Sequence, residues 1–183
     1  MSDPARFPRM TSDEFITWAM QQPKGKRYEL FEGEVVAMAP ERAAHARTKF
    51  RISRRLAEAV EAAGLPCEVY GGGMAVFVDD HTTYEPDAMI RCGEPLADDA
   101  VKAFDPLVIV EVTSPSTQSV DVGDKLADYF RIPSLRHYLI MRPKGQVVIH
   151  HARDEAGTIM TRIIRDGAVA LDPPGITVHG LFG

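Results

Sequence analysis

The chain is short of cysteine, of long apolar stretches and of positive charge, and each shortage narrows what it can be. Two cysteines occur in 183 residues, Cys67 and Cys92, far apart and in no metal-ligand spacing. They point to a reduced, cytosolic setting. No apolar run approaches the roughly 18 residues a membrane span requires. The opening "MSDPARFPRM" lacks the apolar core of a secretory signal, so none is expected. Basic residues number 21 against 26 acidic ones, a formal net charge of −5. That balance counts against tight, sequence-blind binding of nucleic acid, which rests on neutralising phosphates, although a local basic patch could still provide it. There is no internal repeat and no low-complexity tract.

What is present is an ordinary globular composition, 45% hydrophobic and 26% charged, which excludes disorder. The length suits one domain over residues 1–183. Thr11 and Glu14 in "TSDEFITWAM" form a capping box and predict a helix to about Gln21, stopped by Pro23. "RYELFEGEVVAMAP" reads as two short strands around a turn at Glu32-Gly33. From Ala43 to Ala63 the pattern is helical, with His45, Ile52, Leu56, Ala59 and Ala63 on one face and Arg47, Arg51 and Arg54 on the other. Strand-like stretches follow up to "LVIVEVTS", then a helix over about Val120–Arg131, then more strands. This order predicts an α/β (α+β mixed) fold with a central mixed β-sheet flanked by helices.

The segment "LVIVEVTSPST" poses the main chemical question. Burial of an unpaired charge costs several kcal/mol, yet Glu111 interrupts an aliphatic strand. Side chains alternate along a strand, so Glu111 shares a face with Leu107 and Ile109, while Val108, Val110 and Val112 share the other. The glutamate therefore lies where a strand passes from core to rim, the place where α/β sheets put ligands. Asp87 has a comparable setting in "TTYEPDAMI", and Pro86 before it fits an edge or bulge better than a central ladder position. Two such acids side by side repel unless a cation joins them, and oxygen ligands favour Mg²⁺ or Mn²⁺. On the following helix, Lys125 flanks the apolar stripe of Val122, Leu126, Tyr129 and Phe130, from which a lysine can snorkel to a polar rim.

Pro86-Asp87 followed by Glu111 within "VIVEVTSPST" resembles the PD-(D/E)xK nuclease superfamily, with its restriction endonuclease-like fold. More closely, "YELFEGEVVAMAP", His45, "EPDAMI", "VEVTSPST", "DKLADYF" and "LRHYLIM" resemble, in order and spacing, the bacterial family of "putative restriction endonucleases" within it. The likeness covers roughly Asp13 to His151. It implies an endonuclease that hydrolyses DNA phosphodiester bonds with Mg²⁺ or Mn²⁺. Asp87 and Glu111 would hold the ion with the backbone carbonyl of Val112, and Lys125 would be the catalytic lysine. The superfamily pattern places that lysine two residues after the glutamate, where this chain has Thr113; the closer family has it on the next helix.

Other readings stand beside this one. A nuclease-like binding or assembly module without catalysis is the alternative function, and Glu111 could instead belong to a core ion-pair network. His45 is either a hydrogen-bonded core histidine or a residue at the rim of the site. Glu29 either completes the acidic cluster or lies on a hairpin surface. The Arg47–Arg51–Arg54 stripe is a solvated basic face or a phosphate-tracking one. Ser114 and Ser116 serve turn and helix-entry chemistry rather than nucleophilic attack. His150 and His151 alternate in a strand, so their rings face opposite sides and do not chelate one ion together. Phe50 near the basic face suggests a contact residue, and nucleases of this fold often pair to address two strands, which makes a homodimer an expectation.

Overall fold

The computed structural model describes residues 9–113, 121–165 and 167–182, with the side chains of residues 121 and 122 left out of the description. Ser114 and Ser116 lie outside the described residues. The elements follow in chain order: α1 (Ser12–Met20), β1 (Tyr28–Phe31), β2 (Glu34–Ala37), α2 (Ala43–Ala62), β3 (Cys67–Gly71), β4 (Ala75–Asp79), β5 (Thr82–Tyr84), β6 (Ala88–Cys92), β7 (Lys102–Ala103) and β8 (Val108–Val112). Then come α3 (Asp121–Tyr129), β9 (His137–Arg142), β10 (Val147–Arg153), β11 (Ile159–Ile164), β12 (Val169–Leu171) and β13 (Ile176–Val178). The mixed α+β class expected from the sequence is what forms.

Local chemistry sets several boundaries. Thr11 caps α1, and both halves of the capping box with Glu14 are made. The turn between β1 and β2 places Glu32 and Gly33 at φ 48° and 79°, a left-handed pair that closes a two-residue hairpin loop. In α2 the inward residues are Thr48, Lys49, Ile52, Leu56 and Val60. Ala63, expected on that face, is instead the exposed C-cap, because the stripe runs on from Leu56 to Val60 at i+4 and the helix ends two residues later.

The strands divide among three sheets. A six-stranded sheet has the order β11-β10-β9-β8-β6-β3, a five-stranded one the order β2-β1-β5-β4-β7, and β12 pairs with β13. In the six-stranded sheet β8 and β9 are parallel, and the other pairs are antiparallel. Both faces of this sheet are covered, which explains the aliphatic character of β8. On one face Val108, Val110 and Val112 pack with Ile52, Leu56 and Val60 of α2. On the other, Ile109 joins Met89, Tyr84, Tyr129 and Tyr138. Glu111 is the one residue of β8 not fully buried.

The two cysteines, for which the sequence offered no pairing, are partners in the fold. Cys67 of β3 stands opposite Cys92 of β6 in the antiparallel register, and the two form a disulfide with Cα atoms 3.9 Å apart. Twenty-five positions separate them, so only the pairing of the two strands brings them together.

Candidate metal and catalytic site

Four elements deliver the polar residues of one cavity. β1 carries Glu29, α2 carries His45, β8 carries Glu111, and α3 carries Lys125. Asp87 comes from the connection in which the chain leaves β5 of one sheet for β6 of another. Pro86, expected at a strand edge or bulge, lies instead in this connection, outside any strand, where its missing N–H breaks no ladder. A cavity of about 370 Å³ is lined by Glu29, His45, Asp87, Glu111, Val112 and Lys125, and the connection from β2 to α2 runs along it.

Lys125 is 6% exposed, and its ammonium lies 2.9 Å from Glu29 Oε1 and 3.3 Å from Glu111 Oε1. It also lies 4.9 Å from the centre of the Tyr84 ring. Tyr129 Oη donates to Glu111 Oε1 at 2.8 Å. Glu29 Oε1 further accepts from the backbone N–H of Glu85 at 2.9 Å. Glu29 is thus a buried member of this group rather than a hairpin surface residue. The helix lysine does reach the glutamate of the preceding strand.

Asp87 is held from three sides. Its Oδ2 accepts the N–H of Val112 at 2.7 Å, and its Oδ1 lies 3.1 Å from Lys49 Nζ and 3.4 Å from His45 Nε2. Burial alone would raise its pKa. The hydrogen bonds from His45 and Val112, with the Lys49 charge, outweigh burial and hold the carboxyl below its ordinary value. The hydrogen bond to Asp87 in turn raises the His45 imidazole against the opposing effect of burial. Glu111 is the contrast. Burial, with the charges of Asp87 and Glu29, pushes its carboxyl up to about 7 despite Lys125 and Tyr129. A like-charge cluster of oxygen donors with one acid left partly uncompensated is the donor chemistry of a hard divalent cation. Ligand atoms of Glu41, His45 and Asp87 also lie within 4.8 Å of one another.

Two residues here were missed by sequence reasoning. Lys49, 9% exposed, bonds Glu41 Oε1 at 2.6 Å as well as Asp87, and Glu41 also takes Arg27 Nη1 at 2.6 Å. The signal was available, since Lys49 is one turn beyond His45 and three residues before Ile52. The basic stripe of α2 does not enter the cavity. Arg51 donates to the Phe182 carbonyl at 3.2 Å, Arg54 lies 3.4 Å from Glu58, and Phe50 stands 71% exposed beside them. His150 and His151 part as expected. His150 Nε2 meets His137 Nδ1 at 2.9 Å, and His151 Nδ1 meets Thr161 Oγ1 at 2.8 Å.

The fold is nuclease-like. It superposes with a TM-score of 0.70 on the crystal structure of "a putative nuclease belonging to DUF820" from Anabaena variabilis, at 14% identity, covering 88% of this chain and 87% of that one. The family model Uma2, described as "Putative restriction endonuclease", matches residues 12–179, and the chain belongs to that family. Two uncharacterized proteins of Synechocystis are similar. One is 26% identical over 156 residues, 84% of this chain and 80% of its own length. The other is 27% identical over 135 residues, 72% and 74% of the two lengths.

Proposed function

We propose that this protein is a Mg²⁺- or Mn²⁺-dependent endonuclease that hydrolyses DNA phosphodiester bonds. The observation that carries this reading is the meeting of Lys125 with Glu111, 3.3 Å apart, in the cavity that Asp87 also lines. The donor set suits a hard cation: Asp87, Glu111 and the carbonyl of Val112 would hold it. When bound, such an ion polarises a phosphoryl oxygen and makes water a better nucleophile.

The chain's own residues supply the positioning. The Val112 N–H and His45 fix Asp87, so that its carboxylate keeps one orientation. Glu29 and Glu111 hold the Lys125 ammonium beside the acids, where it positions the attacking water and offsets charge growing on the phosphate. The water oxygen bonds to phosphorus as the bond to the 3′ oxygen breaks; the water gives up a proton to solvent and the 3′ oxygen takes one from it, leaving a 3′ hydroxyl and a 5′ phosphate. Residues 1–183 act as one nuclease-like domain in the cytoplasm, where its DNA substrate is, and a homodimer would present two sites to two strands. No helix among the described residues is long and apolar enough to cross a membrane.

The test is cleavage of plasmid and oligonucleotide DNA with Mg²⁺ or Mn²⁺. Lys125→Ala and Asp87→Ala are each expected to lose about 100-fold or more of the rate. Undiminished cleavage by either variant overturns the assignment. Thr113, standing where the superfamily pattern has lysine, favours a second reading as a non-catalytic binding or assembly module. Calorimetry separates the two, because that module needs no divalent-ion binding dependent on Glu111.

A further inference from the structure

The four carboxylates around the cavity are bridged in pairs by two lysines. Lys125 joins Glu29 and Glu111, and Lys49 joins Glu41 and Asp87. The first lysine has its role in the proposed reaction; the second has no part in it. Lys49 reaches inward from α2 and is 9% exposed. Each acid also has a further partner. Glu41 keeps Arg27 at 2.6 Å, while Asp87 keeps the Val112 N–H at 2.7 Å and His45 at 3.4 Å.

A second observation concerns the room that the chain leaves for this ammonium. A Cβ at Gly72 would lie 2.5 Å from Lys49 Nζ and 3.0 Å from its Cε. Gly72 does not have a positive φ, so its backbone has no need of glycine. The missing side chain instead leaves room for the lysine end. The ammonium sits among the ligand atoms of Glu41, His45 and Asp87, which lie within 4.8 Å of one another. A cation held by Asp87 would share a carboxylate that this ammonium already contacts at 3.1 Å.

We propose that Lys49 is a resident cation of the site, seated on Asp87 between it and Glu41, against which a divalent ion must compete. The inference rests on Asp87 as a metal ligand. Two cations sharing one carboxylate repel, and in a part-buried site solvent screens this repulsion poorly. Lys49 therefore weakens ion uptake while compensating the acids in the ion-free protein. It is a positioning residue with a cost to metal affinity, so removing its charge tightens ion binding. A merely structural lysine would show the opposite or no change.

The experiment is Mn²⁺ calorimetry on chelator-stripped protein, comparing wild type with Lys49→Met and Lys49→Gln. Both variants are expected to bind Mn²⁺ about tenfold more tightly and to gain more in Tm from Mn²⁺ than wild type does. Wild-type or weaker affinity in folded variants overturns the role of Lys49 and leaves Asp87 as a ligand standing. No Mn²⁺ binding by any of the proteins overturns both. A measurement on wild type alone guards against variants that do not fold. With ¹³Cε-labelled lysine, the Lys49 resonance is expected to move and saturate on titration with Mg²⁺. A Lys49 signal unmoved while the ion saturates its site overturns the inference.

Discussion

The N–H of Val112 donates to Asp87 Oδ2 at 2.7 Å, tying the acid ahead of β6 to the strand that carries Glu111. Asp87 N–H returns a bond to the Val110 carbonyl at 3.1 Å, so backbone and side chain are clamped to the same strand. The carboxylate is thus fixed by one main-chain donor, and the Asp87 backbone by one main-chain acceptor, both positioned by the sheet.

This clamp separates stability from ion binding. Asp87→Ala leaves the buried Val112 N–H without its acceptor, at a cost of about 1–3 kcal/mol. Asp87→Asn retains an oxygen for that bond and should stay within about 1 kcal/mol of wild type in chemical denaturation. Both should lose Mn²⁺ binding in calorimetry. Retention of Mn²⁺ affinity by Asp87→Asn would remove Asp87 from the ligand set.

Glu111 gives a pH signature in the ion-free protein. Its carboxyl sits at about 7 in the folded chain, above the unfolded value of about 4.3. Between those values the folded state holds a proton that the unfolded state has released, so stability falls as pH rises. The loss is on the order of 3 kcal/mol by pH 8. Glu111→Gln keeps an oxygen for Tyr129 and Lys125 and removes the buried charge. It should be more stable than wild type at pH 8 and differ little at pH 4, measured by urea denaturation with chelator present. A glutamate held only in a core ion-pair network would give the reverse, a loss of stability at pH 8.

A second titration belongs to the histidines behind the site. His137 Nε2 meets the Pro173 carbonyl at 2.9 Å, and a carbonyl only accepts, so that nitrogen carries the proton. His137 Nδ1 is then the acceptor, and His150 Nε2 donates to it. Burial above all pushes His150 down to about 4. Its contribution to stability is complete above the unfolded value of about 6.5 and is lost as pH falls toward 4, on the order of 2–3 kcal/mol. Histidine NMR should show His150 neutral at pH 5. A His150 resonance titrating near 6.5 would contradict the pairing.

Much of the fold is legible in local signals of the sequence. The capping box of Thr11 and Glu14 and the Glu32-Gly33 turn are short-range chemistry, and both form as expected. The alternation of Ile109 and Glu111 with the three valines also holds, because the sheet is covered on both faces, whereas Leu107, expected beside Glu111, lies ahead of β8 and packs with the valine cluster. What escaped depends on long-range register. Cys67 and Cys92 become partners only through the pairing of β3 with β6. Lys49 lay on the inward stripe of α2, but a stripe counted by apolar residues passes over a lysine whose acids come from elsewhere in the chain. The division of the strands into separate sheets was equally illegible, since it is decided at Glu85–Asp87, where no periodicity speaks.

Glu29 and Lys125 meet across 96 positions of sequence. Ribosomal synthesis therefore delivers Glu29, Asp87 and Glu111 first and the ammonium last. A nascent or prematurely truncated polypeptide ending before α3 would carry the acids but not the lysine that faces them. The set of groups proposed for DNA hydrolysis is thus complete only once translation has passed the third helix.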